Sequence, residues 1–443
     1  MKVPEAGWLS IQHNRGQYFF IPLKGHQTSE LKSPLPAIVG AKTPGQLIIR
    51  NWSSKQHLPV FTPARVKKTS DHRYQVGPFV AILAADGKQP FYGNQNNFAD
   101  IIRTGRTMGV SVYVMTPAGF RHNQQNPHTV RGFLLDHRSR NLRWIPAELP
   151  MPNVVYNRIP TRTEEQKPEV QQVVKQLMNT PGIHFFNPGF FDKWSLYRLL
   201  SASPRLRQFL PETAMLENPA GLKQMLERYP SIYLKPANGK AGIKMMRVNK
   251  KPDGFELHYQ SVSAKKRLSI ASLPALWNHV QQLKKPGNYI LQQGIPLAQY
   301  HGRPFDVRML LQKDGQGNWG LSGAGIRVAG ATAISTHVPM GGKIESLDQV
   351  FQAAFGDRKK EMREKIENIG LELASFIETK QAGPLGEMSI DLGIEPNGRM
   401  WFFEANSKPM KFDEPDIRIR SLRRIIQYSL YLSEFSQAVK GGR

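Results

Sequence analysis

The sequence predicts a mixed helix-and-strand protein, α/β at its centre and α+β overall, and three observations carry that expectation. The apolar run Phe79–Leu83, a helix-like stretch opening at Phe98 and a second apolar run Val110–Val114 form a strand–helix–strand unit with a short return, the pattern of parallel strands. Further on, Phe305–Gln312 and Trp319–Val328 flank the turn-rich Asp314–Asn318. Near the end, Met388–Ile394 and Met400–Glu404 flank Glu395–Arg399, a second hairpin.

Taken in order, residues 1–85 read as short β-like segments such as Gln17–Ile21 and Gly45–Ile49, punctuated by Pro and Gly, with no long helical period. Thr129–Trp144 reads as a hairpin, Val154–Tyr156 as a strand and Glu164–Met178 as a polar-faced helix. Asp192–Ser201 is a helix with Leu196, Leu199 and Leu200 on one face. Asn218 caps the next helix with Pro219 in its first turn, and Leu222, Met225 and Leu226 form its stripe. Ser231–Lys235 is a strand that resumes at Ile243–Val248, followed by helix Leu273–Leu283 and strand Tyr289–Gln292. Arg358–Thr379 is a long amphipathic helix, and the last helix runs from about Arg418 to Phe435. There is no internal repeat and no low-complexity segment.

At 443 residues with 40% hydrophobic and 21% charged residues, the chain is long enough for several folded units. No apolar run is long enough to span a bilayer, and Met1–Gln12 lacks the apolar stretch of a secretory signal, so a cytoplasmic protein is expected. The chain has no cysteine, which excludes disulfides, thiolate zinc sites and a cysteine nucleophile. Net charge is +26, and residues 1–150 already hold nineteen Lys or Arg against seven Asp or Glu. Such a balance suits either a solvated basic surface or attraction to a polyanion.

Three segments carry chemistry. Asp391 and Glu404 lie on the two strands of the late hairpin, and Asn406 shares a face with Glu404, so three oxygen donors converge. Oxygen-only donors suit a hard ion such as Mg²⁺ bound to phosphates; the alternative is a polar solvent face. Lys235 ends an apolar strand before a loop holding Gly239 and Gly242, which suits close approach of backbone N–H groups to phosphate, or an ordinary turn. The spacing is not that of a Walker A loop. Leu291–Ile295 ends a strand in polar residues that can face an adenine edge. Arg308 and Arg327 fall on neighbouring strands, as phosphate-directed donors or as surface arginines.

The order of these segments resembles the ATP-grasp superfamily, and their wording resembles its YheC/YheD branch, the endospore coat-associated proteins. The segments concerned are Val155–Arg158, Phe191–Trp194, Tyr233–Pro236, Arg303–Arg308, Gly386–Asp391 and Phe403–Asn406. The resemblance covers roughly residues 80–435 and implies an ATP-grasp fold preceded by a Rossmann-like βαβ domain and a small N-terminal β domain. The implied boundaries are 1–80, 81–190, 191–290 and 291–443. It implies ATP and Mg²⁺ as cofactors. Lys193 and Lys235 would contact phosphates, with Gly239 and Gly242 in the phosphate loop. Gln292, Gln293 and Ile295 would lie at the adenine hinge, Arg308 and Arg327 would act on phosphate or acyl-phosphate, and Asp391, Glu404 and Asn406 would bind metal. The chain departs from the family pattern at Lys244, where a glycine is usual, and in Ser335–Gly342, where an Asn usually precedes the Gly-Gly.

The activity implied is a carboxylate–amine ligase working through an acyl-phosphate, in endospore formation, on a carboxylate and an amine that the sequence leaves unnamed. An acidic polymer is a candidate substrate. The rival readings are a non-catalytic spore-associated scaffold with coat proteins as partners, and a polyanion-binding protein. Nucleic acid is disfavoured because no recognition motif is present, and a protein kinase because its signature loops are missing.

Overall fold

Four sheets carry the chain in sequence order. The computed structural model describes residues 5–10, 16–23, 34–50, 61–69, 73–87, 90–122, 128–239, 242–261, 264–284, 286–331 and 333–435. The first sheet is a closed six-stranded barrel of Ala6–Ser10, Gln17–Pro22, Leu35–Val39, Thr43–Ile49, Phe61–Lys68 and Tyr74–Gly77. Alternation turns Tyr18, Phe20, Val39, Leu47 and Val76 inward, and closure leaves these short strands without free edges.

The second sheet has the order Trp144–Pro150, Thr129–Leu135, Ser111–Met115, Phe79–Leu83, Val154–Asn157, His184–Phe186. Phe79–Leu83 runs parallel to both of its neighbours, as the apolar run implied. All five of its residues are buried, because the sheet is covered on both faces. The helix expected over Glu164–Met178 is two helices, Arg162–Glu165 and Pro168–Asn179. Pro168 forces the preceding residue out of helical geometry, and Lys167 sits at ψ 132°.

The third sheet has the order Thr213–Met215, Tyr289–Gln293, Ser231–Pro236, Met245–Lys251, Gly254–Gln260, Lys265–Ile270. Helices Pro219–Arg228 and Leu273–Leu283 cover one face through Leu222, Leu226, Leu276 and Val280 packed on Ile232, Leu234 and Val248. The strand expected from Ile243 begins instead at Met245, because Gly242 and Lys244 are both left-handed, at φ 68° and 61°.

The fourth sheet is antiparallel in the order Lys343–Glu345, Trp319–Val328, Arg303–Lys313, Glu387–Ile394, Met400–Asn406. Val307, Met309, Leu311, Ile390 and Leu392 face helices Leu347–Phe355 and Lys359–Glu378. Alternation therefore turns Asp306, Arg308, Ser389 and Asp391 to the other face. A bulge interrupts the last hairpin: Asp391 pairs with Glu404 but Leu392 pairs with Phe402. The extra residue, Phe403, resets the alternation, so Phe402 enters the core while Glu404 lies beside Asp391.

The last helix runs Pro415–Leu432, starting and ending three residues before the expected bounds, with the proline in its first turn. Its Leu422, Ile425 and Ile426 pack with Ile101 and Ile102 under the second sheet. Its other side holds the fourth sheet, where Arg424 Nη1 donates to Gly320 O at 2.6 Å and Arg420 Nη1 to Ser322 O at 3.0 Å. Among the described residues no helix is long and apolar enough to cross a membrane.

Candidate functional site

The uncovered faces of the third and fourth sheets look at each other across a cavity of about 460 Å³. Strand Ser231–Pro236 buries Ile232 and Leu234 under its helices, so Tyr233 and Lys235 point the opposite way, into the cavity. Lys235 Nζ donates to Gln292 Oε1 at 2.6 Å and stands 5.4 Å from the rings of Tyr233 and Phe403. Burial pulls its pKa down to about 8, against the attraction of Glu404.

Lys193 enters from the start of helix Lys193–Ser201, whose N-cap Asp192 accepts from Ser195 N at 2.8 Å. Its Nζ donates to Glu404 Oε2 at 2.5 Å and to Gly239 O at 3.2 Å, tying the glycine loop to the hairpin carboxylate. A Cβ at Gly242 would come within 2.8 Å of Ser335 Oγ and 3.1 Å of His337 Nδ1, so only glycine fits that approach. Lys244 keeps the left-handed backbone that the usual glycine would provide.

The fourth sheet supplies the anionic wall. Arg327 closes its fork on Asp306 at 2.8 and 2.6 Å, and Thr336 Oγ1 donates to Asp306 Oδ2 at 2.6 Å. Arg327 Nη2 also lies 2.8 Å from Asp391 Oδ2, yet both oxygens of Asp391 are buried with no hydrogen bond of good geometry. Proximity of charge without a directed donor is an electrostatic contact, and it leaves Asp391's lone pairs open. Burial raises the Asp391 carboxyl, with Arg327 and Arg308 opposing. For Glu404 the same penalty is outweighed by the Lys193 ammonium, which holds its carboxyl well below the usual range. Asn406 Nδ2 donates to Glu404 Oε1 at 3.2 Å and fixes that carboxylate's rotation.

Ligand atoms of His337, Asp391 and Glu404 lie within 4.8 Å of one another. Two carboxylates, one of them with unsolvated lone pairs, fit a divalent cation. Burial, then the charge of Arg327, pulls the pKa of His337 down to about 4, so its imidazole is neutral at neutral pH.

Of the residues singled out from the sequence, Lys193, Lys235, Gly239, Gly242, Gln292, Gln293, Ile295, Arg327, Asp391 and Glu404 line this cavity. Asn406 adjoins it through Glu404. Arg308 lies outside the lining but beside it: its Nη1 is 3.7 Å from Asp391 Oδ1, its Nη2 donates to Ser389 Oγ at 3.3 Å and its guanidinium lies 5.9 Å from the Phe412 ring. The two arginines expected to act alike therefore differ, one locked to Asp306 and one outside the lining. Sequence reasoning missed Asp306, Thr336 and His337. For Asp306 a signal existed, since it shares the alternation of Arg308.

Residues 182–432 match the model of the YheC/D like ATP-grasp family. The chain belongs to that family. The ATP-grasp chain is 28% identical over 374 residues to endospore coat-associated protein YheD of Bacillus subtilis (strain 168), covering 82% of this chain and 81% of YheD. It is 21% identical over 314 residues to endospore coat-associated protein YheC of the same organism, covering 70% of this chain and 84% of YheC. Among solved structures, VanG D-Ala:D-Ser ligase from Enterococcus faecalis is 11% identical, with a TM-score of 0.49 over 81% of this chain and 99% of VanG.

Proposed function

We propose that this ATP-grasp chain is a Mg-ATP-dependent ligase that activates a carboxylate as an acyl-phosphate and joins it to an amine. The single observation that carries this reading is the cavity itself, where buried Asp391 and half-buried Glu404 stand with ammonium groups Lys193 and Lys235 beside a glycine loop. Cations beside carboxylates, with the Asp391 lone pairs open, would suit a triphosphate together with a divalent ion.

In this reading Lys193 and Lys235 hold the phosphates, and backbone groups at Gly239 and Gly242 approach them without a Cβ in the way. Gln292, Gln293 and Ile295 border the base. Asp391, Glu404 and Asn406 hold the metal, which supplies charge neutralisation at the phosphates. A substrate carboxylate oxygen attacks the γ-phosphorus in line, and the bond to the β–γ bridging oxygen breaks to release ADP. The amine nitrogen then attacks the acyl carbon, phosphate leaves, and the proton lost by the amine passes to solvent. Arg327, fixed by Asp306, presents a positioned positive charge to the transferring group, and Arg308 stands behind it. Positioning and electrostatics suffice, with no covalent chemistry asked of the protein.

The relatives' names, endospore coat-associated proteins, favour a role in endospore formation with coat proteins as partners, and cytoplasmic synthesis is part of the same proposal. The test is ADP release by the full chain with pooled carboxylates and amines. Acceptor-dependent release that Glu404→Gln abolishes is expected. Background hydrolysis alone across a broad pool contradicts turnover and favours a binding scaffold.

A further inference from the structure

His337 lines the cavity and has no part in the ligase chemistry above. It lies on residues 333–342, a stretch pinned from both sheets. Tyr233 OH donates to Ile334 O at 3.1 Å, Gln260 Nε2 to Ser335 Oγ at 3.1 Å, and Ile334 N to Gln260 Oε1 at 3.1 Å. Thr336 is held by Asp306 at 2.6 Å, and the His337 carbonyl accepts from Met340 N at 2.9 Å and Gly342 N at 3.2 Å. The imidazole is thus placed by bonds on both sides of it in the chain.

Its Nδ1 is buried with no hydrogen-bond partner, and a Cβ at Gly242 would stand 3.1 Å from it. A buried ring nitrogen without a partner is costly unless something else takes its lone pair. One ring nitrogen of His337 lies within 4.8 Å of ligand oxygens of both Asp391 and Glu404. Two carboxylates with an imidazole form a mixed oxygen–nitrogen set. Mg²⁺ takes oxygen donors and gains little from imidazole, whereas first-row transition ions gain much.

We propose that His337 is a ligand of the same divalent site as Asp391 and Glu404, and that its nitrogen biases the site from Mg²⁺ toward Mn²⁺ and related transition ions. The inference rests on the ligase reading for the presence of a divalent ion, but it concerns which ion and through which atom.

The experiment is pulsed electron paramagnetic resonance on the full chain with Mn²⁺ and ADP, using protein grown with ¹⁴N- or ¹⁵N-histidine. A directly bound imidazole gives a nitrogen coupling that changes isotope with the label, which adenine nitrogens cannot mimic. His337→Asn, which puts an oxygen donor in place of the imidazole, is expected to remove that coupling. The same variant should lower the Mn²⁺-over-Mg²⁺ affinity ratio about tenfold. Circular dichroism verifies that the variant is folded; if it is not, the labelled wild-type spectrum alone decides. Mn²⁺ bound with no histidine coupling overturns this proposal and leaves the ligase reading standing. No Mn²⁺ bound with ADP at all overturns this proposal, and absence of Mg²⁺ binding with ATP as well overturns the ligase reading.

Discussion

Glu387 and Asp391 stand four residues apart on the same strand, on the same face, and both are buried. Burial raises both carboxyls. Their surroundings differ. Glu387 accepts from Tyr156 OH, from Arg158 Nη1 at 3.0 Å and from Gln312 Nε2 at 3.1 Å. Around it Asn187 Nδ2 donates to the Glu387 carbonyl at 2.8 Å, and its Oδ1 accepts from Gly386 N at 2.9 Å. Asp391 has two arginines near it and no directed donor. The first arrangement is complete and joins the second sheet to the fourth. The second is finished only when a cation arrives. Complete satisfaction marks a structural seam, and unsolvated lone pairs beside a cavity mark a binding site.

That contrast is broken most strongly at Glu387. Glu387→Gln strands the buried Arg158 guanidinium and should cost about 3 kcal/mol or more in chemical denaturation. Asp391→Asn, by contrast, removes a carboxylate that no directed hydrogen bond holds, and Arg327 keeps its fork on Asp306. It should leave stability within about 1 kcal/mol of wild type while weakening Mg-ATP binding at least about tenfold in calorimetry. Equal stability losses for the two variants would erase the distinction.

Lys235 sharpens it by pH. Its pKa in the fold is about 8, below its ordinary value, so the folded chain releases this proton first. Folding stability from this group is therefore lower while it is charged and rises with pH from about 8 toward the unfolded value. Nucleotide affinity should move the other way, falling as pH passes 8 by up to about tenfold per unit. Lys235→Met should flatten that slope in a fluorescent-nucleotide titration. The smallest effect is Lys244→Gly, which removes a left-handed side-chain penalty and should stabilise by up to about 1 kcal/mol in thermal denaturation.

Much of this was legible. The apolar run Phe79–Leu83, the cap Asn218, and the hairpin spacing around Asp391 and Glu404 follow from local rules of burial, capping and turns. What was hidden had non-local causes. Simple alternation from Met400 would send Glu404 into the core, and the bulge at Phe403 that turns it to the cavity shows only in the register. Strand Lys265–Ile270 carried no apolar period because Lys265, Lys266 and Arg267 are exposed. Its neighbour Gly254–Gln260 is held instead by Glu256, which takes Arg267 Nε at 2.9 Å and His258 Nε2 at 2.6 Å. Helix Leu347–Phe355 went unread because Gly356, at φ 57°, separates it from the longer helix that follows. His337 gave no local signal, since its meaning depends on two carboxylates that the hairpin brings to it.

The central claim is that Asp391 and Glu404 share a divalent cation with a bound triphosphate. Isothermal titration of the full chain with ATP in the presence and absence of Mg²⁺ addresses it directly. The account requires one saturable site that depends on the ion and is lost in Asp391→Asn and Glu404→Gln. Binding of equal strength without the ion, or unchanged in both variants, would contradict it.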